Sequence, residues 1–108
     1  MLTPDEIREL MFQVRNDLRR APDAVRDAEL SAEEADLAAD KAFDVALLKA
    51  DGNVEERKAQ ARIAAADARA DAVIARAVFN RAKLKTRALE SELMMLQSIL
   101  KSVQAEGA

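Results

Sequence analysis

Five carboxylates crowd one short stretch of this sequence: Glu33, Glu34, Asp36, Asp40 and Asp44. Helical spacing puts Asp36, Asp40 and Asp44 on one face. Di-metal helical bundles use such rows when the acids are buried and joined by a Glu-x-x-His pair. This chain has no histidine and no cysteine. That excludes thiol chemistry, disulfides, zinc sites built on those side chains, and imidazole catalysis. The acids also lie off the alanine rows described below, so the expectation is a solvated acidic face and no metal.

The other charged cluster is basic. Arg76, Arg81, Lys83, Lys85 and Arg87 follow one another with no acid between Asp71 and Glu90. A nucleic-acid site would want such residues on one face, with aromatic groups for stacking. Here they wrap around the helix, and the nearby Phe79 belongs to an apolar row. Interhelical ion pairs with Asp23, Asp27 and Glu29 are the first expectation; nucleic-acid contact is the alternative. No glycine-rich phosphate loop, nucleophile elbow or acid/base pair is present, so the sequence points to no catalytic residue and no cofactor.

The elements that carry these charges are set by one heptad pattern. Backwards from Ala46 the steps alternate four and three through Ala42, Ala39, Ala35, Ala32, Ala28, Val25, Ala21, Leu18, Val14, Met11 and Ile7. Forwards from Ala61 they run through Ala65, Ala68, Ala72, Ala75, Phe79, Ala82, Thr86, Leu89, Leu93, Leu96, Leu100 and Val103. Paired positions always sum to 107, about a midpoint beside Asp51-Gly52-Asn53. This predicts an all-α fold: a long antiparallel helical hairpin, a coiled coil with an alanine-rich seam. The first helix is expected over about 4–50, the turn at 51–53 and the second helix over about 54–105. Thr3, Pro4 and Glu6 read as a capping box, Gly52 as a left-handed C-cap, and Asn53 as the next N-cap.

Pro22 interrupts this simplicity, because proline inside a helix removes a hydrogen bond at a cost of about 3 kcal/mol. The heptad phase survives across it, so a kink at 20–22 is expected; a fold-back of the N-terminal segment is the alternative. Ser31-Ala32-Glu33-Glu34 offers a second possible helix start.

Composition agrees with this architecture. Of 108 residues 50% are hydrophobic, but many are alanine and only 3% are aromatic, too few for a thick core. One domain is expected. The net charge of -3 gives no general reason to expect nucleic acid or an anionic membrane as partner. Met-Leu-Thr-Pro-Asp-Glu lacks the basic and apolar regions of a signal peptide, and no segment reads as a membrane span.

A hairpin buries one stripe per helix, and this chain has more apolar residues than that. Leu37, Phe43 and Leu47 on the first helix, with Ile63, Val73, Ile74 and Leu84 on the second, are left over. Ile63, Ala66, Ala70, Val73, Ala77, Asn80 and Leu84 form a further four-three series. Cover by a second copy, as a dimer in a four-helix arrangement, is the expectation. Asn80 would set register if buried there. Met94 and Met95 read first as core filler, otherwise as an adaptable binding surface.

The segments Ala50-Asp-Gly-Asn-Val-Glu-Glu-Arg-Lys-Ala59, Asn80-Arg-Ala-Lys83, Arg87-Ala-Leu-Glu90 and Leu96-Gln-Ser-Ile-Leu-Lys101 resemble small helical proteins of tailed bacteriophages found among replication and recombination genes. The resemblance covers about residues 45–105. It implies a bacterial cytoplasm, a phage or host protein as partner, and an accessory role; it brings no catalytic residues. Small secreted hairpins of the WXG type share the architecture, but their turn carries Trp-x-Gly and this chain has no tryptophan. The functional expectation is a non-enzymatic adaptor acting through protein contacts. A nucleic-acid-binding accessory using 76–87, or an inhibitor of a host enzyme, are the alternatives.

Overall fold

Helix formation follows from composition here. Alanine has the highest helix propensity, and glycine and proline number only two each. The computed structural model describes residues 2–107, and all of its regular structure is helical. Helix α1 spans Pro4–Lys49, α2 Val54–Ala64 and α3 Ala66–Gly107. No strand occurs among the described residues.

Helix α1 starts on a reciprocal cap. The Glu6 N–H donates to Thr3 Oγ1 at 3.2 Å, the Thr3 hydroxyl donates to Glu6 Oε1 at 3.1 Å, and Pro4 occupies the first turn, where no N–H is missed. Pro22 lies inside α1 with helix on both sides. The segment before it continues the helix and does not fold back, and Ser31 starts nothing new.

The connection between α1 and α2 is closed by side chains. Gly52 has φ +115°, a backbone region that other residues rarely enter. Asn53 caps α2: its Oδ1 accepts from the Glu56 N–H at 2.9 Å, and its amide donates to Glu56 Oε1 at 2.7 Å. Near the end of α1 the Leu47 carbonyl accepts from the Ala50 N–H at 3.4 Å, and two side chains add bonds there and in the turn. Arg57 Nη2 donates to the Leu47 carbonyl at 3.2 Å, and the Gln60 amide donates to the Asp51 carbonyl at 2.9 Å.

One departure from the sequence expectation lies at Ala65, which divides the single expected helix into α2 and α3. Its φ of −92° and ψ of 0° fall in the bridge region between helix and extended backbone. Helical bonds survive on both sides: Ala65 N–H donates to Ala61 O at 3.0 Å, and Arg69 N–H to Ala65 O at 2.9 Å. No side-chain contact accounts for the break.

Two compact units divide the chain. The first combines the residues up to Val25 with those from Arg81 onward. Its core is Ile7, Met11, Val14 and Leu96, with Leu18, Leu89, Leu93, Ile99, Leu100 and Val103 packed against it. The second unit is Arg26–Asn80. Its buried residues are alanines: Ala32, Ala39, Ala61, Ala65 and Ala72. Ala28, Ala35, Ala42, Ala68, Ala75 and Phe79, also in this unit, are half-buried.

Candidate functional site

The charged residues of the second unit line one edge of its helix pair. Asp36, Asp40, Phe43 and Leu47 follow at four-three-four spacing on α1, so they share a stripe beside the alanine row. Opposite stands a seven-residue row: Arg62 on α2, then Arg69 and Arg76 on α3. Arg69 Nη2 donates to Asp40 Oδ1 at 2.9 Å, and Arg76 Nη2 donates to Asp36 Oδ2. The Arg76 guanidinium also lies 5.8 Å from the centre of the Phe79 ring, in cation–π range. The two contacts run in opposite directions along the chain, so α1 and α3 are antiparallel in this unit.

These bonds correct two expectations. The row Asp36, Asp40, Asp44 is not a wholly solvated acidic face, because its first two members accept from arginines and only Asp44 stands exposed without an ion pair. Arg76 pairs with Asp36 and not with the acids between 20 and 31. The reason is side-chain direction. Each Cβ points toward the N-terminus of its own helix. On antiparallel helices a long arginine and an aspartate therefore lean toward one another only if their Cα atoms are offset. The numbers of such a pair exceed 107 in sum, as 36 with 76 and 40 with 69 do. The signal for these pairs in the sequence is the seven-residue spacing of Arg62, Arg69 and Arg76.

That run lies in the first unit. Arg81, Lys85 and Arg87 are exposed and form no ion pair among the described residues; Lys83 is half-buried and engaged. Nearby, a half-open cavity of about 200 Å³ is lined by Ala21, Ala24, Val25, Ala82, Thr86 and Leu89, together with Asp17, Arg20 and Lys85. The Thr86 hydroxyl is satisfied by the Ala82 carbonyl at 3.0 Å. Small side chains meet small ones there and leave space.

The apolar residues left over by the heptad divide into two groups. Leu37, Ile63, Val73, Ile74 and Leu84 are 61–78% exposed. Asn80 is exposed as well. Phe43 and Leu47 are half-buried instead, on the same α1 stripe as Asp36 and Asp40; Phe43 forms a shallow groove with Arg62, Ala65, Ala66 and Arg69. Met94 and Met95 are 67% and 57% exposed, so they are surface residues and not core filler.

Among the described residues no group of three or more acids is disposed to hold a metal, and no helix is long and apolar enough to cross a membrane. No family model matches this chain, and no curated protein or solved structure matches it either.

Proposed function

We propose that this chain is a non-enzymatic interaction protein: a long antiparallel helical hairpin that self-associates and acts through contacts made by its outer apolar stripes. One observation carries the reading. Fifteen large apolar side chains among the described residues are at least a third exposed, including Leu37, Leu48, Ile63, Val73 and Ile74. Single exposed apolar residues are ordinary, but rows of them along a helix mark surfaces that another polypeptide covers. The resemblance to phage helical proteins would set such contacts in a bacterial cytoplasm, with a phage or host replication or recombination factor as a further partner. Light scattering tests the core of the proposal. A mass above one chain at micromolar concentration is expected; a monomer at every concentration would sink it.

A second reading rests on Arg81, Lys85 and Arg87, whose charges are exposed and unpaired. It makes the chain an accessory nucleic-acid binder. Fluorescence anisotropy with single- and double-stranded DNA would then show binding that weakens steeply with salt and disappears when the three residues become Glu. Unchanged anisotropy at low salt removes this reading.

A further inference from the structure

Composition restricts where an oxidant can react with this chain. It has no cysteine, tryptophan, tyrosine or histidine, so its four methionines carry its readily oxidised atoms. Met1 lies outside the described residues. The fold of the first unit divides the other three. Met11 is 6% exposed, in a core with Ile7, Val14 and Leu96. Met94 and Met95 are adjacent on α3 and are 67% and 57% exposed.

The surroundings of the exposed pair on α3 are polar. Residues three and four places apart are neighbours on a helix surface. For Met94 these are Glu90, Ser91, Gln97 and Ser98; for Met95 they are Ser91, Glu92, Ser98 and Ile99. All but Ile99 are polar and exposed. The serine hydroxyls and the Gln97 amide are donors of the kind a sulfoxide oxygen accepts from. A sulfoxide at Met11 would instead place a polar group in an apolar core.

We propose that Met94 and Met95 form a modification site, at which a hydroperoxide converts both thioethers to sulfoxides while Met11 stays reduced and the helices stay folded. The sulfur attacks one oxygen of the peroxide. An S–O bond forms and the O–O bond breaks. The proton on the transferred oxygen passes to the departing oxygen, which leaves as water or an alcohol. Sulfur loses two electrons and the peroxide gains them. Methionine sulfoxide reductases reverse the step with a dithiol as reductant, one enzyme for each sulfoxide epimer, releasing water and a disulfide. Two neighbouring apolar side chains thus become polar on the outside of α3, while Leu93 and Leu96 keep the core packing intact. Both methionines belong to the first unit, whereas Leu37, Leu48, Ile63, Val73 and Ile74 belong to the second, so the modification and self-association are separately testable.

Timed treatment of the intact chain with hydrogen peroxide tests this, in plain buffer and in concentrated urea. Tryptic peptides 1–8, 9–15 and 88–101 separate Met1, Met11 and the pair for mass spectrometry. In buffer, 88–101 is expected to gain two oxygens, one on each methionine. Met11 should react at least about tenfold more slowly, because it is reached only when the core opens locally. In urea that difference should vanish. Far-UV circular dichroism of the chain oxidised at both positions should match the untreated chain, and the two epimer-specific reductases together should restore the original mass of 88–101. Equal rates for Met11 and the pair in buffer, or a difference that persists in urea, would overturn the proposal. Loss of helix on oxidation of the pair, or sulfoxides that the reductases leave in place, would overturn it as well.

Discussion

The two compact units are built from the same helices and the same heptad period, yet they hold together differently. In the first, Ile7, Met11, Val14 and Leu96 are 0–6% exposed and six further aliphatics pack around them. A fully buried aliphatic of that size contributes about 1.5–3 kcal/mol. In the second, the buried row is alanine, which removes little apolar area from water. Two arginine–aspartate pairs and a capped, side-chain-closed turn accompany it. The period sets where helices meet, and the size of the residues at that period sets what the meeting is worth. An alanine row stabilises weakly but allows close approach. It also leaves Leu37, Leu48, Ile63, Val73 and Ile74 of that unit exposed, while Phe43, Leu47 and Phe79 are half-buried.

The largest expected effect is in the first unit. Leu96→Ala should cost about 2–5 kcal/mol, the range for truncating a buried leucine. Urea denaturation reads it directly. A change below about 0.5 kcal/mol, the size of ordinary surface effects, would erase the contrast between the units.

In the second unit the opposite change should do harm. Ala39 is 0% exposed, within a row chosen for small volume. Ala39→Leu should destabilise by about 1–3 kcal/mol through overpacking, despite adding apolar surface. The same melts would show it. A stabilised Ala39→Leu would mean that the alanine row is loosely packed and that the two units differ only in residue size.

Much of this was open to inspection in the amino-acid order. Helix type follows from alanine content, and the turn from Asp51-Gly52-Asn53. Among the described residues the ten buried ones all sit at steps of the four-three series, Ile7 to Ala39 and Ala61 to Leu96. Three things were not legible. The break at Ala65 has no breaker residue to announce it. The partners of Arg69 and Arg76 are displaced from the seam rule by the backward lean of helical side chains, which a list of paired positions omits. Phe43 and Leu47 are half-buried on the α1 stripe of Asp36 and Asp40, beside the alanine row, and a list of seam positions omits that stripe.

A smaller effect tests the turn. Gly52→Ala forces a side chain into a positive-φ conformation, at about 1–2 kcal/mol. A Cβ there also meets the Glu56 side chain that Asn53 holds. Gly107→Ala is the matched control, since a Cβ at that position meets nothing within 4 Å. Equal melting of the two variants would show that the turn does not constrain the second unit.

The smallest expected effect decides whether the ion pairs stabilise that unit or merely ornament it. Both are exposed enough for solvent to screen them, and such pairs are usually worth about 0.2–1 kcal/mol. They are not equivalent, however. The side chains of Asp36 and Arg76 are 42% and 43% exposed, against 64% and 51% for Asp40 and Arg69. Less water around a pair means less screening, so the coupling of Asp36 with Arg76 should exceed that of Asp40 with Arg69. Double-mutant cycles with Asp→Asn and Arg→Gln isolate each coupling. The cycle matters for Arg76 in particular, because its single substitution also removes the contact with the Phe79 ring. Both couplings should shrink as salt rises. If the two are equal, partial burial is not what strengthens the Asp36 pair. If both are zero, charge pairing contributes nothing measurable to the stability of the second unit.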